Sequence, residues 1–204
     1  GEVVYTGLAL VELAFWDIIG KSCNQPVYKL LGGQVKDKVQ AYANGWYTVE
    51  RSPEQYATAA EKVLDKGYKA MKFDPFGNGD LELERPEFYR SLDLIEAVAS
   101  VAGTQAQIMI EMHGRFAPLQ AREIARFIEK YNIGWIEEPV RPGDIPALKS
   151  VRQHTSLPIA TGERLYGAPE FRELWNTQSV DVLQPDITQS GGILETKKIA
   201  STAE

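Results

Sequence analysis

The 204-residue sequence predicts an α/β fold: a parallel (β/α) barrel of about six strand–helix units, incomplete as it stands. Three observations carry this expectation. Short β-rich runs alternate with longer segments of helical period, the alternation does not drift along the chain, and acidic residues ending successive runs recur at a constant spacing. A complete eight-fold barrel takes about 250 residues, so two units would be missing. The chain therefore reads as an excerpt, or a truncated product, of a longer one.

Taken in order, residues 1–33 form a junction: "GLALVELAFWDIIGKS" has the pattern of a helix, and "PVYKLLGG" leads out of it toward the first strand. Residues 34–204 form the partial barrel, with strands 1 to 6 in the runs 39–47, 69–76, 106–114, 134–139, 157–163 and 180–187. Between them lie helices. In "SPEQYATAAEKVLDKG", Ser52 is the N-cap, Pro53 the first helical residue, and Gly67 stands just past the end. "PEFYRSLDLIEAVASVAG" and "APLQAREIARFIEKYN" carry the same apolar stripe. After the sixth strand, "GGILETKKIASTAE" starts a further helix.

The composition, 44% hydrophobic and 25% charged, is that of an ordinary globular protein. No apolar run reaches the ~18 residues that span a bilayer, and residues 1–20 lack the basic start and small-residue cleavage site of a secretion signal, so a cytoplasmic location is expected. Cys23 is the single cysteine and is expected to be a small packing residue. The net charge is −6 and basic residues are scattered singly, which gives no footprint for nucleic acid or an anionic membrane. The acidic excess leaves room for a bound cation.

The polar residues that end the strands are Lys72 and Asp74, Glu111 and His113, Glu137 and Glu138, Glu163, and Gln184 and Asp186. Strand alternation would put Lys72 with Asp74, Glu111 with His113, and Gln184 with Asp186 on shared faces. Glu111, Glu137 and Glu163 stand 26 residues apart in turn, so successive units would each present one carboxylate at the same height, on the face where barrel active sites are built. Three converging carboxylates repel one another unless a cation offsets them, and oxygen ligands on rigid strands suit Mg2+. The alternative is that each acid is solvated or caps the next helix. Glu138, of opposite parity, is expected to face the helix layer as an ion-pair partner. His113 at the barrel mouth is placed for proton transfer near neutral pH, whereas His154 is expected to be exposed. Lys72 would offset a substrate carboxylate, or else snorkel to the rim.

With these residues in view, the chain resembles the mandelate racemase branch of the enolase superfamily along essentially its whole length. "ELAFWDIIGKSCNQPVYKLLGG" resembles that family's junction between capping domain and barrel. "GWIEEP", "IATGE" and "LQPDITQSGGI" resemble its successive strands and the glycine turn after the sixth. The resemblance implies an enolase-type modified (β/α)8 barrel with a capping domain built by both termini, of which this chain holds the edge. It implies Mg2+ held by Glu111, Glu137 and Glu163, and removal of a proton alpha to a carboxylate to give an ene-diolate. Asp186 would orient a base histidine on a seventh strand, which these residues do not include.

Two departures matter. Racemases of this branch carry Lys-x-Lys on the second strand, but here the stretch is "KFD", with Asp74 in the base position. The first ligand, commonly Asp, is Glu111. "EMHGR" resembles the "HGR" segment of galactonate-type sugar-acid dehydratases, in which the histidine protonates the departing 3-hydroxyl. That implies a dehydratase acting on a small-molecule sugar acid, an aldonate or aldarate, with His113 as general acid and Lys72 as carboxylate clamp. Asp74, Arg115 and Arg164 are candidate substrate contacts, with Asp74 alternatively a secondary base. A homo-oligomer is expected of the full-length protein. Epimerisation, racemisation or lactone cycloisomerisation are the family's alternatives; a Schiff-base aldolase using Lys72, or a remnant without catalysis, lies outside it.

Overall fold

The computed structural model describes residues 1–204. In chain order it comprises α1 (Glu2–Ser22), α2 (Val27–Leu30), α3 (Pro53–Asp65), β1 (Ala70–Phe73), α4 (Arg85–Ala102), β2 (Gln107–Glu111), α5 (Pro118–Ile128), β3 (Ile133–Glu137), α6 (Ile145–Arg152), β4 (Ile159–Thr161), α7 (Gly167–Thr177), β5 (Val182–Leu183) and α8 (Ile193–Ala203). The five strands form one sheet in the order β1-β2-β3-β4-β5. The pairs from β1 to β4 are parallel. Strand order equals chain order because every crossover is a helix, the arrangement expected of a (β/α) barrel segment.

Two compact units divide the chain. One comprises Ala41–Thr161 with Gln178–Val182; the other comprises Gly1–Gln40, Gly162–Thr177 and Leu183–Glu204.

In the unit around the sheet, local signals and burial agree. Ser52 caps α3 by accepting the Gln55 N–H, Pro53 opens the helix, and Gly67 takes a left-handed φ of +87° just after it. The buried stripe of α5 consists of Gln120, Ala121, Ile124, Ala125 and Ile128. In α4 the buried stripe includes Phe88, Leu94, Ile95 and Val98, and α4 packs on α3. All four residues of β1 are buried, as are Ile108, Met109, Ile110 and Ile136 in its neighbours, because helices and barrel interior cover both faces. The register sets Phe73 beside Ile110 and Glu111 beside Glu137. That last pairing brings two acidic side chains to one place.

In the other unit, α1 carries the N-terminus of α8. The Glu12 carboxylate accepts the Ile193 and Leu194 N–H groups at 2.8 and 3.0 Å, supplying negative charge where a helix exposes unpaired donors. Gly192, at φ +98°, makes this approach possible: a Cβ there would come within 2.3 Å of the Glu12 carboxylate. This accounts for the second glycine of the "GGI" turn.

Four expectations are corrected. The run 39–47 forms no strand; it contributes one bridge, Ala43 to Met71, with the Ala43 N–H donating to Ala70 O and the Lys72 N–H to Ala43 O. The chain then turns at Asn44-Gly45, where Gly45 has φ +71°, and Trp46 Nε1 donates to Lys72 O in place of a ladder bond. The sheet therefore has five strands rather than six. Cys23 is exposed, not packed, because it falls where α1 ends and the chain turns outward. Although Glu12 and Asp17 interrupt its apolar residues, α1 is long and apolar enough to cross a membrane by length and composition, with a mean hydropathy of 1.6. Ile133 to Glu137 and Ile159 to Thr161 are also shorter than the runs that suggested them, since Pro139, Pro158 and Gly162 bound them.

Candidate active site

The C-terminal ends of β1, β2 and β3 carry two groups of polar side chains. The inner group is Lys72, Glu111 and Glu137, each 6% exposed or less. Lys72 Nζ donates to Glu111 Oε2 at 2.8 Å and to Glu137 Oε1 at 2.5 Å, so one ammonium lies between two carboxylates from adjacent strands. Each acid is also held by its own framework. Glu111 Oε1 accepts the His113 N–H at 2.8 Å, and Glu137 Oε2 accepts Trp135 Nε1 at 3.0 Å. The Tyr42 ring lies 5.8 Å from Lys72 Nζ and meets Trp135 edge-on, giving the ammonium an aromatic face.

The charges here are strained by burial. Burial pushes the Glu111 carboxyl up to about 7, and Glu137 adds to the push while Lys72 opposes it. Burial on its own would lower Lys72, but Glu111 and Glu137 outweigh it and hold the ammonium charged, above the ordinary lysine value. A Schiff-base nucleophile must be a neutral amine, so this environment opposes the aldolase reading.

The outer group is Asp74, His113 and Arg115. Asp74 Oδ2 takes both His113 Nδ1 at 2.7 Å and Arg115 Nη2 at 2.6 Å, and Asp74 Oδ1 accepts the Phe76 N–H at 2.9 Å. Arg115 also donates to Gly77 O and Met112 O. Burial works to raise the Asp74 carboxyl, but hydrogen bonds from His113 and Phe76 and the charge of Arg115 hold it low. The bond to Asp74 raises His113 against the opposing effect of burial, with further help from Glu111. The His113 side chain remains 40% exposed.

The strand alternation that would have merged these groups stops early. β2 ends at Glu111, and His113 and Gly114 adopt φ of +50° and +65°, turning the imidazole toward Asp74. A Cβ at 114 would lie 2.9 Å from Pro142 Cδ, so the turn requires glycine. Glu138 is a further correction: it is 2% exposed with φ +42°, and its carboxylate accepts the Thr161 hydroxyl at the strand ends. The left-handed backbone at Glu138 takes it out of the parity on which its helix-facing placement rested.

Glu163, Arg164 and Asp186 belong to the other unit. Glu163 is partly exposed and lies 3.5 Å from Arg164 Nε. Asp186 Oδ1 accepts the Thr188 N–H and hydroxyl at 2.7 and 2.6 Å, closing the turn after β5. No group of three or more His, Cys, Asp or Glu side chains is arranged as a metal site. His154 is exposed, as expected, with Nδ1 at Ser150 O. Residues not singled out from the sequence are Trp135 and Tyr42. Trp135 had a usable signal, since it stands two positions before Glu137 on the same strand face; Tyr42 and the backbone turn at Glu138 had none.

A protein-family model described as Enolase C-terminal domain-like matches residues 55–204, and the chain belongs to that family, within the enolase superfamily. Its fold is thus an incomplete enolase-type (β/α) barrel. Among curated relatives, the D-gluconate/D-galactonate dehydratase of Picrophilus torridus is 37% identical over 199 residues, covering 98% of this chain and 51% of the relative. The D-gluconate dehydratase of Thermoproteus tenax is 40% identical over 199 residues, covering 98% and 40%. A mandelate racemase/muconate lactonizing enzyme from Jannaschia sp. superposes with a TM-score of 0.92 at 38% identity, covering 100% of this chain and 55% of that one. The chain spans about half the length of the curated relatives it matches.

The inner cluster predicts an unusual pH dependence. Glu111 binds its proton more tightly in the folded than in the unfolded protein, so its contribution to stability is full below its ordinary value of 4.5 and is lost as pH rises through about 7. His113, raised from 6.5, loses its contribution as pH rises through its own higher folded value, while Asp74 stays ionised. In urea denaturation with EDTA, stability should fall between about pH 5 and about pH 8, and Glu111→Gln should flatten the slope. A stability that is level or rises over that window would contradict the charge balance described.

Proposed function

We propose that the complete protein is a Mg2+-dependent sugar-acid dehydratase, which removes the proton at C2 of an aldonate or aldarate and expels the 3-hydroxyl as water. The observation that carries this reading is the register pair Glu111–Glu137: two buried carboxylates from adjacent strands sharing one cation, with a half-exposed imidazole beside them. The names of the curated relatives support the same class.

The donor set fits a hard divalent cation. Carboxylate oxygens of Glu111 and Glu137 already surround a positive charge, the kind of oxygen set a hard cation takes. Glu111 and Glu137, with Glu163 as third ligand, would hold Mg2+. When bound, the ion supplies the positive charge that makes a proton alpha to a carboxylate acidic enough for a side-chain base.

The remaining steps belong to protein side chains. Lys72, displaced from the two acids, would clamp the substrate carboxylate and stabilise charge developing on its oxygens. Asp186 would orient the base, a histidine other than the two in this chain, which takes the C2 proton to leave an ene-diolate. His113, entering as the imidazolium, then gives its Nε2 proton to the C3 oxygen as the C3–O bond breaks and keeps the Nδ1 proton bound to Asp74. The products are water and an enol, which tautomerises to a 2-keto-3-deoxy acid. Arg115 and Arg164 are candidate substrate contacts, with Arg115 already engaged in holding the loop.

Incubation of the complete protein with a panel of aldonates and aldarates should yield 2-keto acid for at least one member. Exchange of the C2 proton with solvent deuterium and no keto acid from any would favour epimerisation instead. Glu137→Gln should abolish turnover, and near-normal activity would reject the ligand assignment. His113→Asn should slow dehydration by about 10²-fold or more while C2 exchange stays measurable, because the acid acts only on the leaving oxygen. Unimpaired dehydration in that variant would reject its role.

A further inference from the structure

We propose that Asp74 is a positioning residue for His113: it fixes the imidazole with a proton on Nδ1 and leaves Nε2 as the nitrogen that faces substrate and carries the proton to be delivered. The proton-delivery part of this inference rests on the dehydratase reading, but the assignment of the ring does not.

The geometry supplies each step. Asp74 is the first residue past β1, and the left-handed turn at His113-Gly114 swings the ring across to it. Nδ1 meets Asp74 Oδ2 at 2.7 Å. A carboxylate that is ionised only accepts hydrogen bonds, so a ring nitrogen at that distance must be the donor. The hydrogen bond at one ring nitrogen sets the state of the other, which leaves Nε2 for chemistry.

Asp74 is itself fixed. Its Oδ1 accepts the Phe76 N–H at 2.9 Å, and its Oδ2 also takes Arg115 Nη2 at 2.6 Å. Arg115 is anchored in turn by Gly77 O at 2.8 Å and Met112 O at 3.2 Å, on the two loops that follow β1 and β2. Both carboxylate oxygens are therefore occupied by the frame, and the guanidinium ties together the two loops that carry Asp74 and His113. With its side chain 13% exposed, Asp74 is poorly placed to be a substrate contact or a base, and well placed to hold the imidazole. The ring, 40% exposed, keeps its outer edge accessible.

The test is long-range nitrogen–proton NMR of the imidazole in the complete protein, with the signal assigned by its loss in His113→Asn. The wild-type ring should carry a proton on Nδ1; a neutral ring protonated on Nε2 alone would overturn the proposal without need of any variant. In Asp74→Ala the Nδ1 preference should disappear, dehydration should fall about 10²-fold through kcat with KM little changed, and C2 exchange should persist. The Asp74→Ala, His113→Asn double variant should be no slower than His113→Asn alone, because Asp74 acts through the ring. Wild-type dehydration in a folded Asp74→Ala would overturn the proposal. Should the wild type show the Nδ1 proton, and Asp74→Ala lose it, in a protein that dehydrates no sugar acid, the positioning role stands and the dehydratase reading alone fails.

Discussion

Two ionised carboxylates cannot lie side by side out of water without a positive charge between them. The parallel register of β2 and β3 forces that situation on Glu111 and Glu137, and the Lys72 ammonium from β1 meets it. Much of the surrounding structure serves this cluster. Trp135 holds one oxygen of Glu137, the backbone of His113 holds one oxygen of Glu111, and Trp46 fixes the Lys72 carbonyl. A buried group of two acids and one base is a poor device for stability, since apolar residues would fill the same space at less electrostatic cost.

A few ångströms of chain beyond the strand ends, the chemistry changes. Successive left-handed residues, His113 and Gly114, end the alternation of β2 and bring the imidazole to Asp74. The same turn gives the Glu111 carboxylate a backbone donor. Membership of the enolase superfamily, and similarity to dehydratases acting on sugar acids, sets these details in a consistent chemical frame.

Those parts of the fold that depend on neighbours in the chain were legible in the sequence. Ser52, Pro53 and Gly67 delimit α3 as their chemistry dictates, and the period of 26 residues found the acids at the ends of β2 and β3. Legibility failed where backbone conformation or distant pairing decides. Nothing in "VQAYANGWY" shows that the ladder stops at Ala43, because its bonds run to residues some 27 positions on, and the Trp46 indole takes over one of them. "EMHG" and "EEP" read as continuous alternation, yet His113 and Glu138 adopt positive φ, which reorients both side chains. Lys72 was singled out from its place at a strand end, but its two carboxylate partners lie 39 and 65 residues away, too far for spacing alone to reveal.

The most direct measurement is anomalous scattering from a crystal of the complete protein soaked in Mn2+, a scatterer that takes the same oxygen ligands as Mg2+. The account predicts one peak between the Glu111 and Glu137 carboxylates, with the Lys72 ammonium withdrawn from both. No peak there, with Lys72 still bridging the two acids at full Mn2+, would contradict it.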